Sequence, residues 1–215
     1  MMNNGNEINL KELEKKAYRS FFQDGLWDIF IGILILNLGI LMSDTFISNL
    51  EELSLLIITS VWNLIAFFIL YFGKKFLTIP RLGYVKFGPK RKRRRTYLKV
   101  ILLINCLIGI IFFIIQLGGF LPLAEINMIL TSLILGFLFI TIPFSVLAYI
   151  LDFMRLFFYG FVFGLGFFLT EILYPLFGHP LDTLFAFIVP SVIIITIGCY
   201  YLLIFLHKYP RLEKE

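Results

Sequence analysis

Three carboxylates lie in or against long apolar runs: Asp24 and Asp28 at the start of one, and Glu171 well inside another. A charged side chain at the bilayer centre costs at least about 2.5–3.5 kcal/mol, so an acid retained there is a candidate site. Glu171 reads as an ion- or proton-binding carboxylate on a pathway. Asp24, Asp28 and Asp152 read as an acid cluster that could serve lipid chemistry. Plainer roles stand beside these. Glu171 could accept a hydrogen bond from a neighbouring helix. Asp24 could cap a helix, and both aspartates could complement its N-terminus or pair with Lys or Arg of the large basic segment.

A second group is cationic. Residues 73–99 hold eleven of the nineteen Lys and Arg and no acid. Lys90, Arg91, Lys92, Arg93, Arg94 and Arg95 are consecutive. Such a cluster beside a membrane span attracts anionic lipid headgroups at about 1 kcal/mol per residue, and it also sets orientation. The run lacks interleaved aromatic residues, so nucleic acid is not the expected partner. His179 and His207 fall at opposite ends of the last apolar run, too far apart to share a metal ion. No metal and no cofactor is expected. Cys106 and Cys199 sit in apolar runs and read as small buried hydrophobes, not as a disulfide framework. There is no Walker A sequence, G-x-G-x-x-G, H-E-x-x-H or G-x-S-x-G. An enzyme is the least supported class.

The elements that position these groups follow from composition. Sixty per cent of the 215 residues are hydrophobic, 26 of them Phe, and the mean hydropathy is +0.92. A soluble domain carries about 45–50% apolar residues. The expected fold is an all-α membrane protein with six transmembrane helices in one bundle, preceded by a short amphipathic helix. Six apolar runs approach the ~20 residues that a span needs: about 26–42, 53–72, 98–121, 128–151, 156–177 and 184–206. Residues 1–25 are polar and mixed in charge, unlike a signal peptide. Leu10, Leu13, Ala17 and Phe21 give Glu7 to Phe22 an apolar stripe suited to the membrane interface. Pro143 should kink the fourth run, and residues 151–155 should close a tight hairpin between the fourth and fifth.

Small residues predict which faces pack. Gly25, Gly32 and Gly39 recur every seven residues and share their stripe with Asp28. Gly160 and Gly164 form a G-x-x-x-G pair, a candidate helix-packing surface. Glu171 is seven residues past Gly164, so it should face the same neighbour.

Orientation follows from counting charges. With the N-terminus inside, residues 1–25, the basic loop 73–97, 152–155 and the tail 207–215, together with Lys99, hold all nineteen Lys and Arg. The other loops hold none. The positive-inside rule therefore predicts a multi-pass cell-membrane protein with both termini cytoplasmic.

Two short motifs carry a resemblance. Pro80-Arg81-Leu82-Gly83-Tyr84-Val85 follows the second run, and Asp24-Gly25-Leu26-Trp27-Asp28 opens the first. The pair resembles a P-R-x-G-Y-V and D-G-L-x-[DE] pattern of a group of small prokaryotic polytopic membrane proteins. The resemblance covers about a dozen residues and implies no activity. It implies that Arg81 and Tyr84 lie near Asp24 and Asp28 at the cytoplasmic face. Pro80 and Gly83 read as a turn with a short extended piece.

Three functions are compatible with this sequence. The first is a non-catalytic membrane component that binds lipid, chiefly anionic headgroups, or a partner through its cytoplasmic face. The second is a small transporter or channel subunit using Glu171. The third is a lipid-modifying enzyme using the aspartates.

Overall fold

A computed structural model describes residues 22–43, 52–82, 89–117 and 127–210; within these, the side chains of Glu52, Leu56, Leu82, residues 89–95 and several later positions up to residue 117, Cys106 among them, are not described. The expectations for residues 7–21 and for Tyr84 lie outside the described residues. All regular structure among the described residues is helical.

The helices are α1 (Leu26–Leu41), α2 (Glu52–Gly73, continued by Lys74–Thr78 and Ile79–Leu82), α3 (Pro89–Leu117), α4 (Met128–Gly136, Phe137–Thr141 and Ile142–Leu151), α5 (Met154–Phe177) and α6 (Leu181–Thr183, Leu184–Ile188 and Val189–Lys208). Four are long and apolar enough to cross a membrane: Leu53–Arg81, Met128–Leu151, Met154–Phe177 and Leu181–Lys208. The apolar helix α1 is shorter, and α3 carries a short apolar stretch at Lys99–Ile111. The 16 residues of α1 rise about 24 Å, somewhat less than a ~30 Å hydrocarbon core.

Two expectations about the basic segment are corrected. Residues 79–82 are helical and not extended, because α2 runs on past Gly73 to Leu82. The run Lys90–Arg95 forms the first turns of α3 and not a loop. Lys and Arg are good helix formers, and Pro89 supplies a favourable first residue.

Prolines shape three of the helices by one device. Lys74–Thr78, Phe137–Thr141 and Leu184–Ile188 are π-helical turns. Each ends two residues before a proline: Pro80, Pro143 and Pro190. A proline has no N–H to donate, and its ring crowds the carbonyl four residues back, here on Phe76, Phe139 and Ala186. A wider turn opens room for the ring without ending the helix. The irregularity expected at Pro143 takes the form of the π-helical turn before it.

The glycine stripe of α1 packs on α6. A Cβ on Gly25 would stand 2.1 Å from the Gly198 carbonyl oxygen, and one on Gly39 2.8 Å from the Phe187 side chain. Gly25 also has φ +79°, a conformation that L residues rarely adopt. Phe187 is fully buried, with its ring 5.3 Å from Phe167 and 6.1 Å from Phe163. It anchors a core that includes Ile31, Ile35, Tyr159 and Ile194.

Helices α4 and α5 form the expected hairpin through Asp152 and Phe153. Asp152 adopts φ 54° as the left-handed cap of α4. Gly136 and Gly164 meet backbone to backbone, and a Cβ on Gly136 would stand 2.1 Å from the Gly164 carbonyl oxygen. Gly160 lies against Phe144. The Gly160/Gly164 face is therefore filled by α4 of the same chain. Helix α2 lies on α1, tied by Trp62 Nε1 donating to the Ile33 carbonyl at 3.2 Å and Asn37 Nδ2 donating to Asn63 Oδ1 at 3.4 Å. Cys199 is exposed on α6, which corrects its expected burial. Gly198, its neighbour, takes the face toward α1.

Candidate functional site

Asp24 and Asp28 precede and open α1, and neither carboxylate is accessible to solvent. An isolated buried carboxylate costs several kcal/mol of lost hydration, so each must be met by donors or a cation. Both are met, by different helices and by the same pattern.

Asp24 is held from α2. Lys74 Nζ reaches its Oδ2 at 2.6 Å, and the Thr78 hydroxyl donates to the same oxygen. The other oxygen accepts the Leu26 N–H at 3.3 Å. Lys74 and Thr78 are four residues apart and share one helix face. Lys74 is itself buried, its stem packed so that only the ammonium meets the acid. Asp24 thus serves α1 partly as a cap, as its position predicts, and partly as a tie to the end of α2.

Asp28 is held from α5. The Tyr159 hydroxyl donates to its Oδ1 at 2.6 Å. Arg155 Nη1 stands 3.2 Å from its Oδ2, an ion pair whose atoms are not aligned as a hydrogen bond. Arg155 and Tyr159 again lie four residues apart on one face. The expected partner of Asp28, a cation of the large basic segment, is replaced by Arg155 at the start of α5, while Asp24 takes Lys74 of that segment.

Arg155 is fixed on three sides. Nη1 pairs with Asp28, Nη2 donates to the Phe22 carbonyl at 3.2 Å, and the guanidinium lies 3.9 Å from the centroid of the Tyr201 ring on α6. A planar guanidinium suits this combination of ion pairing and stacking. Outside it lies an open cleft of about 590 Å³, bordered by Gln23, Asp152, Arg155, Ile204, Lys208 and Tyr209 among others. The side chain of Arg155 remains 21% exposed toward solvent.

These contacts define one end of the molecule. They join the start of α1, the end of α2, the α4–α5 turn and the end of α6. Arg81 belongs to that end of the molecule, donating from Nη1 to the Leu77 carbonyl at 3.0 Å. Asp152 borders the cleft, but among the described residues no group of three His, Cys, Asp or Glu is arranged to hold a metal ion.

Glu171 lies toward the other end. It is half-buried, and its Oε1 accepts a hydrogen bond from the Ser132 hydroxyl of α4 at 3.4 Å. It faces the same helix as Gly164, as the spacing predicts. Near this end His179 Nδ1 meets the buried Asp182 Oδ2 at 2.8 Å, a contact three residues apart within one turn.

Lys74, Thr78, Arg155 and Tyr159 were not among the residues that the sequence singled out. A signal for them exists. Each cation sits at the end of an apolar run with a hydroxyl four residues on, matching the four-residue spacing of Asp24 and Asp28. No protein family, curated protein or solved structure matches the chain.

Proposed function

We propose that the chain is a six-span integral membrane protein whose basic end faces the cytoplasm, and that it is a non-catalytic component binding anionic lipid headgroups at that face. The observation that carries this reading is the gathering of Lys74, Arg155 and Lys208 at one end, beyond apolar helices long enough to cross a bilayer, with the run Lys90–Arg95 opening α3 in the sequence. In the six-span reading α1 and α3 join the four longer helices, and the positive-inside rule orients them. Both termini are then cytoplasmic.

The two aspartates act as structural ties here. Each already holds a cation and a hydroxyl, which leaves them poorly placed to serve as bases or metal ligands. This speaks against the lipid-modifying enzyme. Transport through Glu171 has weaker support than lipid binding, because its carboxylate serves a hydrogen bond between packed helices.

The test uses the full chain in a mild non-ionic detergent. Thermal unfolding is followed while phosphatidylglycerol or phosphatidylcholine is added, at low and at high salt. The expected result is a larger rise in Tm with phosphatidylglycerol, reduced at high salt and reduced again when Lys90–Arg95 are all replaced by Gln. Equal stabilisation by both lipids, in both proteins, overturns the reading.

A further inference from the structure

The cleft beside Arg155 has a shape and lining that the structural role of the aspartates does not use. The lining from α6 and its end is aromatic and aliphatic: Tyr201, Ile204, Phe205 and Tyr209. Arg155, Lys208 and Gln23 line the same cleft. Lys208 is exposed, its ammonium 5.8 Å from the centroid of the Tyr209 ring. Asp152 also borders the cleft and has an interaction of its own. Arg155 differs from a surface arginine because its rotamer is already set by Asp28, Phe22 and Tyr201. With Nη1 and Nη2 engaged, what it offers a phosphate is a fixed positive charge on the cleft wall, and fixing it in advance spares the entropy of ordering the side chain. Tyrosines with Lys or Arg at the end of an apolar helix mark the headgroup level of a membrane. The cleft joins the two: cations and the apolar side chains of α6 line one space.

We propose that this cleft binds one anionic phospholipid, its phosphate against Arg155 and Lys208 and its glycerol backbone and first acyl carbons along Tyr201 and Ile204. The proposal rests on the reading that this end faces the headgroups, and it adds a defined site to the diffuse attraction of the basic run.

Native mass spectrometry of the full chain in detergent tests it, with phosphatidylglycerol, phosphatidylcholine and soluble glycerol 3-phosphate as probes. Phosphatidylglycerol should bind as one tight copy, glycerol 3-phosphate at least tenfold more weakly. Lys208→Gln should weaken that copy about fivefold, as expected for one cation near a headgroup, and Ile204→Trp should weaken it further by filling the cleft. Replacing Lys90–Arg95 by Gln should leave the tight copy and remove only looser ones. A tight copy lost with the basic run, and kept in Lys208→Gln and Ile204→Trp, overturns the cleft while the wider lipid reading stands. Absence of any preference for phosphatidylglycerol overturns both. Equal binding of glycerol 3-phosphate makes the ligand a soluble phosphate and overturns the lipid. A photo-crosslinking side chain at position 204 should attach to lipid; attachment to the chain's own N-terminal segment also overturns the proposal.

Discussion

The two ends of this molecule solve the same problem differently. At the basic end two fully buried carboxylates are each answered by a distant part of the chain. Asp24 meets Lys74 across 50 residues and Asp28 meets Tyr159 across 131. At the other end the buried Asp182 is answered by His179 three residues away, and the half-buried Glu171 by one weak hydrogen bond to Ser132. The first end is tied together by charge. Glycine contact serves both ends, with Gly25 against Gly198 at the first and Gly136 against Gly164 and Gly39 and Gly166 against Phe187 farther along, and at the second it is joined by a local cap instead of long-range ion pairs. Ion pairs specify which helices meet, since a wrong neighbour would leave a charge unmet. Glycine faces set how closely they meet.

The sharpest way to break this contrast is to strip one ion pair. Arg155→Met leaves Asp28 with Tyr159 as its remaining donor in a site closed to solvent. Removing one partner of a buried pair costs about 3–5 kcal/mol. The expected outcome is a large fall in Tm in detergent. Asp28→Asn added to Arg155→Met should recover much of it, because the amide carries no charge. The parallel pair, Lys74→Met and then Asp24→Asn with Lys74→Met, should behave alike. If the double variants are no more stable than the singles, charge is not what ties this end.

Much of the glycine packing was legible from spacing. The seven-residue repeat of Gly25, Gly32 and Gly39 predicted a packed stripe, and the structure seats it on α6. The interval from Gly164 to Glu171 predicted a shared face, and both meet α4. The basic end was less legible. Periodicity shows that Asp28 points inward, but which helix supplies the cation depends on the order of helices around the core. Local spacing does not encode that order. Arg155 was hidden for a second reason. It is one of nineteen cations and shares its short turn with Asp152, so it contributed little to any charge count, yet at the start of α5 it meets Asp28, the Phe22 carbonyl and Tyr201. The π-helical turns were half legible. The prolines were plain, but the sequence pattern of a widened turn is that of an ordinary helix.

An intermediate effect probes the glycine contact. A side chain at position 164 would begin 2.1 Å from Thr141 Oγ1 and 2.8 Å from the Gly136 carbonyl oxygen. Backbone cannot give way as a flexible side chain can. Gly164→Val should therefore cost about 1–3 kcal/mol by overpacking, read as a lower Tm. It should leave the phosphatidylglycerol response of the basic end unchanged. A loss of that response would mean that the two ends are coupled through α5 and are not independent.

The smallest effect is expected at Glu171. Its contact with Ser132 is long at 3.4 Å, and hydrogen bonds between membrane helices average about 0.6 kcal/mol. Glutamine keeps the size of the side chain and an oxygen that can accept from Ser132. Glu171→Gln should therefore shift Tm by less than the scatter among the aspartate variants. Ser132→Ala, which removes that one weak contact, should do the same, and adding Glu171→Gln to it should change nothing further. Proton or cation flux into liposomes carrying the protein supplies the decisive comparison. If Glu171→Gln abolishes a flux that Ser132→Ala preserves, the carboxylate is doing ion chemistry. The quieter end of the molecule would then be the functional one.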